Sequence, residues 1–286
     1  MTDRVRIFEV GPRDGLQNEK IFVPTVDKIA LIDLLSEAGF SNIEVASFVS
    51  PKWVPQMADG AAVVAQIARK PWVSYAALVP NLIGYERARA AGVDEVAVFA
   101  SASEGFSIKN INCSIAESLA RFEPIIAQAA ADGIAVRAYV SCAIACPYDG
   151  AIAPRDVAAL AARLSGMGCY EISLGDTIGA GTPESVAAML DAVLALVPAE
   201  RLAGHFHDTG SKGLANIETA LTKGLRSFDS AIGGLGGCPY APGAKGNIET
   251  LTVHDRLTAL GFCTGLDRDR LLSAGEFLST QIARHS

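Results

Sequence analysis

His205-Phe206-His207-Asp208 sets two of the chain's four histidines two residues apart. On a strand, side chains at that spacing share a face, so both imidazoles would enter one site, and a bound metal ion is the first chemistry they could support. Further along runs Gly233-Gly234-Leu235-Gly236-Gly237-Cys238-Pro239-Tyr240-Ala241-Pro242-Gly243-Ala244-Lys245-Gly246-Asn247, too rich in glycine for a helix or a central strand. Such backbone suits a loop that moves or lets a ligand approach closely, which makes Cys238 a candidate reactive thiol. The competing assignment has His205 and His207 as separately hydrogen-bonded packing residues and Cys238 as a small buried hydrophobe.

Groups this far apart in sequence need a scaffold to bring them together. Apolar, β-branched segments recur at 5–10, 42–47, 72–79, 95–100, 134–141, 170–174, 202–207 and 227–232. Helical patterns separate them. One covers 25–38, with Ile29, Ile32 and Leu35 on one face; another opens at Thr182-Pro183-Glu184, which reads as an N-cap, a first-position proline and a first-turn acid. Gly39, Gly92, Gly133, Gly168 and Gly224 each stand just before a strand, where a left-handed helix C-cap is expected. Repeated βα units with near-continuous apolar strands predict a parallel sheet covered on its faces, and eight of them predict a closed (β/α)8 TIM barrel. No Gly-x-Gly-x-x-Gly follows the first strand, so an open dinucleotide-binding sheet lacks its main support. Residues 267–286 read as an extra C-terminal helix, and 1–286 as one barrel catalytic domain.

With 286 residues, 50% of them hydrophobic, the chain can bury a large core. A net charge of −7 without a Lys/Arg cluster excludes a nucleic-acid or anionic-membrane footprint and favours a small-molecule role. Residues 1–8 lead straight into a strand pattern, and no apolar run nears the ~20 residues of a membrane span, so a soluble, cytoplasmic protein is expected. Cys113, Cys142, Cys146, Cys169, Cys238 and Cys263 have neither zinc-finger spacing nor disulfide-scaffold density. They read as reduced thiols, although Cys142 and Cys146 are close enough in sequence for a local redox pair.

In such a barrel the active site forms at the C-terminal ends of the strands. Polar candidates collect there: Arg13, Asp14 and Gln17 after strand 1, Glu44 on strand 2, Arg137 and Tyr139 on strand 5, Asp176 after strand 6, the two histidines on strand 7, and Cys238 and Asn247 after strand 8. Separately, Arg13 and Asp14 could be a solvated turn and Asp176 or Asn247 a helix cap. Together, an aspartate, two imidazoles and an amide oxygen make a mixed ligand set that suits Mg2+ or Mn2+ and tolerates Zn2+ or Co2+. Open coordination positions beside Arg13 describe a hydroxy-carbonyl substrate that develops negative charge, hence carbon–carbon bond chemistry next to a carbonyl.

These residues resemble the hydroxymethylglutaryl-CoA lyase family. The likeness is carried by 11–20 (GPRDGLQNEK), 47–52 (SFVSPK), 109–114 (KNINCS), 168–177 (GCYEISLGDT) and 236–241 (GGCPYA), and spans nearly the whole chain. The cysteine loop is the specific element; the Arg-Asp and His-x-His elements are shared with isopropylmalate-synthase-like condensing enzymes. The resemblance implies cleavage of 3-hydroxy-3-methylglutaryl-CoA, an acyl-CoA, to acetoacetate and acetyl-CoA by a homodimer. It further implies Asp14, His205, His207 and Asn247 as metal ligands, Arg13 as the group that binds and polarises substrate, and Cys238 as a catalytic residue.

The mechanism expected on this basis is a retro-Claisen cleavage. His205 or Asp14 takes the proton of the C3 hydroxyl, Arg13 offsets the thioester enolate, and Cys238 protonates it under a closed glycine loop. Glu44 orients Arg13 or the substrate, Gln17 and Tyr139 border the substrate, and Lys109 and Asn110 would hold coenzyme A. Two departures from the family pattern, Gly210-Ser211-Lys212 and Ile248-Glu249-Thr250-Leu251-Thr252, are expected near the far end of the acyl group. Rival assignments are the same chemistry on a longer branched glutaryl-CoA or on citramalyl-CoA, an isopropylmalate-synthase-like acyltransferase, and a metal-binding barrel without catalysis.

Overall fold

Eight parallel strands close into a barrel in a computed structural model that describes residues 3–236 and 246–285. In chain order they are β1 (Arg6–Glu9), β2 (Asn42–Ser47), β3 (Ser74–Leu78), β4 (Glu95–Ser101), β5 (Ala135–Ser141), β6 (Glu171–Asp176), β7 (Leu202–Phe206) and β8 (Ser227–Ser230). Each pairs with its sequence neighbours, and β1 closes the ring on β8 through Arg6↔Ser227 to Glu9↔Ser230. Both faces of β2 are buried, inward against the barrel filling and outward against helices, so even its polar Asn42, Glu44 and Ser47 lie inside the protein.

The helices are α1 (Thr25–Glu37), α2 (Gly60–Gln66), α3 (Leu82–Ala91), α4 (Glu104–Ile111), α5 (Ile115–Asp132), α6 (Pro154–Met167), α7 (Pro183–Leu194), α8 (Gly213–Thr222), α9 (Thr250–Ala259) and α10 (Arg268–His285). Local chemistry sets their ends. Thr182 caps α7 by accepting from the Ser185 N–H, with Pro183 in the first turn. Gly92, Gly133 and Gly168 end α3, α5 and α6 in the left-handed region, and Gly39 and Gly224 adopt positive φ one residue beyond a C-cap.

The expected strands differ by one or two residues at some ends. Backbone after Ser230 leaves the ladder for a short helical turn, Ile232–Gly234, in place of the strand expected through Ile232. Two features went unanticipated: α4 between β4 and α5, and a small hairpin, Ala145–Cys146 with Gly150–Ala151, before α6. Cys113, Cys142, Cys146, Cys169 and Cys263 are free thiols, all buried except Cys263. Among the described residues no helix is long and apolar enough to cross a membrane.

Candidate active site

The chemistry starts at a wide helical turn, Gly11–Gly15, whose Arg13, Asp14 and Gly15 N–H groups all donate to the carbonyl of Val10. This winds Arg13 and Asp14 over the barrel mouth. Arg13 is 5% exposed and gives both Nε (2.6 Å) and Nη2 (2.5 Å) to Glu44 Oε2, while Nη1 meets Asp14 Oδ1 at 2.6 Å. Glu44 is set by β2, where pairing to β3 shifts register between Glu44 and Ala46; such irregularities re-aim side chains at barrel rims. Tyr139 on β5 donates its hydroxyl to the same carboxylate oxygen at 3.0 Å and lies 5.4 Å beneath the Arg13 guanidinium. Burial pushes the Glu44 carboxyl up despite Arg13, and pushes the Tyr139 phenol well above its ordinary range, with Glu44 adding to it.

Both imidazoles of His205 and His207 reach the same space, their Nε2 atoms 3.4 Å apart. His205 Nε2 stands 3.9 Å from Asp14 Oδ2, and one ligand atom from each of Asp14, His205 and His207 lies within 4.8 Å of the others. Below them Asp229 on β8, fully buried, faces His205 Nδ1 at 3.1 Å and accepts from Ser173 (2.7 Å) and both Nη atoms of Arg137 (2.6 and 3.2 Å). With Asp229 taking the Nδ1–H, neutral His205 carries its lone pair on Nε2, aimed at His207.

Burial disfavours charge on His205, but its hydrogen bond to Asp229 and the Asp14 charge outweigh burial and raise its pKa. His207 has no such anion at its far side, and burial next to His205 lowers it to about 4. Asp14 is also desolvated, yet Arg13 and His205 hold its carboxyl below the usual range. A carboxylate, a neutral His207 and an Nε2 lone pair on His205 are a donor set suited to a divalent cation, and two facing imidazole nitrogens gain most from a shared cation. Asn247 reaches this cluster through its amide nitrogen, which donates to Asp14 Oδ2 (2.8 Å) and the Leu235 carbonyl (3.1 Å). Its side chain thus steadies Asp14 here, and ligation would need the amide oxygen turned inward. Gly236, at φ +103°, runs so close to this amide that a Cβ there would collide with it.

Above the cluster opens a cavity of about 960 Å³. Arg13, Asp14, Gln17, Tyr139, His205 and His207 line its floor, and Lys109 and Asn110 on α4 with Arg121 on α5 line one side. Arg13, Asp14, Gln17, Glu44, Lys109, Asn110, Tyr139, His205, His207 and Asn247 are therefore gathered at one mouth, whereas Arg137, expected there too, lies beneath it paired to Asp229 and Glu171, and Cys238 falls outside the described residues. Asp176 is not in the cluster. Its carboxylate accepts from the Ala180 and Gly181 N–H groups, as a turn cap. The two sequence departures also lie elsewhere: Ser211, Lys212, Leu251 and Thr252 do not line the cavity, and on the second segment Glu249 caps α9 and Leu251 lies with Leu271 and Leu272 instead.

The HMGL-like family model matches residues 4–278. A "3-hydroxy-3-isohexenylglutaryl-CoA/hydroxy-methylglutaryl-CoA lyase" of Pseudomonas aeruginosa is 56% identical over 273 residues, 96% of this chain and 91% of its own. The chain belongs to the hydroxymethylglutaryl-CoA lyase family. A family crystal structure from Brucella melitensis superposes with a TM-score of 0.96 at 60% identity, covering 99% of this chain and 100% of that one. An HMG-CoA lyase from Acinetobacter baumannii, solved with coenzyme A and 3-methylmalate, gives 0.94 at 40% identity over 98% of this chain and 92% of its own. Asp229, which faces His205 Nδ1, is the site neighbour that sequence reasoning missed; its signal was an acid inside a strand segment that is otherwise a buried run.

Proposed function

We infer that this chain is a lyase that cleaves 3-hydroxy-3-methylglutaryl-CoA to acetoacetate and acetyl-CoA, and that it does so with a divalent cation held by Asp14, His205, His207 and, with its amide turned, Asn247. The observation that carries the reading is the convergence of Asp14, His205 and His207 beside Arg13 at the floor of one cavity. A cation bound there supplies a Lewis acid that acidifies the substrate's C3 hydroxyl. The chain's own residues do the rest. Arg13, locked by Glu44 and backed by Tyr139, presents a fixed positive charge to the thioester carbonyl. The hydroxyl proton passes to Asp14, since His205 with Nε2 on the cation and Nδ1–H on Asp229 has no lone pair free to take it; the C3 oxygen becomes a ketone as the C2–C3 bond breaks, and the bonding pair moves into a thioester enolate that faces Arg13. Cys238 then returns a proton to C2. Lys109, Asn110 and Gln17 border the acyl-CoA.

Mg2+ or Mn2+ is the proposed ion, and the barrel with α10 is proposed to act as one catalytic domain in a cytoplasmic homodimer. One specific finding favours a second substrate: the Pseudomonas aeruginosa relative carries a name with both an isohexenyl and a methyl substituent. An acetyl-CoA release assay over a panel of 3-hydroxyacyl-CoA thioesters tests the choice. Hydroxymethylglutaryl-CoA should have the highest kcat/KM. A longer-chain or citramalyl thioester ahead by about tenfold, ~1.4 kcal/mol of transition-state preference, would reassign the substrate within the same chemistry.

A further inference from the structure

Glu9, the last residue of β1, has no solvent exposure, although it is a carboxylate that no step of the proposed reaction uses. An ionisable group in such a place costs several kcal/mol unless donors surround it. Three do. Oε1 accepts from the Gly11 N–H at 2.8 Å and the Ile232 N–H at 2.9 Å, and Oε2 accepts from the Thr250 hydroxyl at 2.7 Å, which sits 2.7 Å from the Ser230 hydroxyl. Each donor heads a different segment of the mouth. Gly11 begins the turn that carries Arg13 and Asp14, Ile232 begins the stem of the glycine-rich loop, and Thr250 opens α9 three residues after Asn247.

The segments are also joined to one another. Ala231 N–H donates to the Ile248 carbonyl, Thr250 N–H to the Ala231 carbonyl, and Asn247 N–H to the Leu235 carbonyl. Gly11 fits only because it lacks a side chain, since a Cβ there would stand 2.5 Å from Glu9 Oε1. A purely space-filling role would be served better by an apolar residue, as in the core around it.

We propose that Glu9 is a positioning residue that clasps these three segments in register, and so sets Asp14 and Asn247 against His205 and His207. The clasp rests on the cation reading above. It acts through backbone N–H groups and one hydroxyl and touches no reacting atom, and supporting contacts of this kind are typically worth 10- to 100-fold in metal affinity or rate.

The test compares Glu9→Leu with Glu9→Gln, reading Mn2+ affinity by electron paramagnetic resonance titration alongside kcat and KM. Leucine keeps the bulk but leaves two buried N–H groups without an acceptor, whereas the glutamine oxygen can accept both while its NH2 donates to Thr250. Glu9→Leu should bind Mn2+ at least about tenfold more weakly and lose kcat by a similar factor with KM little changed, and Glu9→Gln should stay within about threefold of the parent. Parent-like affinity and kcat in Glu9→Leu, or equal damage in Glu9→Gln, overturns the clasp. If Glu9→Leu does not fold, Thr250→Val removes one arm alone. Mn2+ binding weakened about threefold or more supports the clasp; an unchanged value overturns it. A parent that binds no Mn2+ would sink the cation reading instead, leaving the kcat comparison to judge the clasp.

Discussion

The lower half of the barrel and its mouth are both charged inside, and they treat their charges in opposite ways. Below, Arg137 lies between the Phe8 and Tyr139 rings and is paired to Asp229 and Glu171, while Glu171 also holds Arg6 and Ser227. Every member has a partner. At the mouth, Gln17 Oε1, Glu44 Oε1 and His207 Nδ1 are buried without one, three of the four such side-chain atoms among the described residues. Closed networks hold a shape, whereas open valences in a cleft are held ready for something that arrives later. The same barrel thus separates stability from reactivity by height along its axis.

That contrast predicts opposite failures. The largest effect should come from the mouth: His205→Ala should lower kcat by about 10³-fold or more while leaving the unfolding midpoint close to the parent, because Asp229 keeps Arg137 and Ser173 as partners when the imidazole is gone. A large loss of midpoint with partial activity would reverse the assignment. Cys238→Ser follows, with kcat down roughly 10²- to 10⁴-fold at nearly constant KM, the usual worth of a positioned proton donor. A serine variant within about threefold of the parent would make the thiol a bystander.

Below the mouth the sign of the experiment changes. Arg137→Met leaves the buried Asp229 carboxylate without its guanidinium partner, while Glu171 keeps Arg6 and Ser227, and should cost about 3–5 kcal/mol in denaturant unfolding. Little change there would mean that the network is not what holds the lower barrel.

The smallest expected effect concerns pH. Burial raises the Glu9 carboxyl from 4.5 to about 7, against its hydrogen bonds from Thr250, Ile232 and Gly11. A folded-state pKa above the unfolded one means that the native state holds the extra proton, so this contribution to stability is complete below pH 4.5 and is lost as pH rises through 7. At about 1.4 kcal/mol per unit the span is worth roughly 3 kcal/mol at most. Glu9→Gln cannot titrate, so its stability relative to the parent should improve between pH 5 and 8. A difference that stays constant with pH would place the Glu9 titration elsewhere.

Much of this architecture is legible in the residues. Strands such as 95–100 announce themselves because the run from Val96 to Ala100 is apolar on both faces, and Gly92, Gly133 and Gly168 mark helix ends because left-handed backbone favours them. Arg13, Asp14, His205 and His207 stood out because polar groups at strand ends have few structural uses. Glu9 and Asp229 did not, since a lone acid inside a strand segment looks like an ordinary edge position until three dimensions surround it with donors. Pro147-Tyr148-Asp149-Gly150 did hold a turn signal for the small hairpin, but two-residue strands have too little pattern to detect. For the departures at Ser211 and Leu251, proximity in sequence to His207 and Asn247 misled: a tight turn at Thr209–Ser211 in one case, and the Glu249 cap of α9 in the other, take the chain off the cavity wall within a few residues.

The most direct test of a cation-dependent lyase is acetyl-CoA release from hydroxymethylglutaryl-CoA by metal-stripped enzyme in excess chelator, before and after Mg2+ or Mn2+ is supplied in surplus. No turnover is expected before and full turnover after. Undiminished turnover in chelator would contradict it, because Asp14, His205 and His207 would then need another reason to meet at the floor of the cavity.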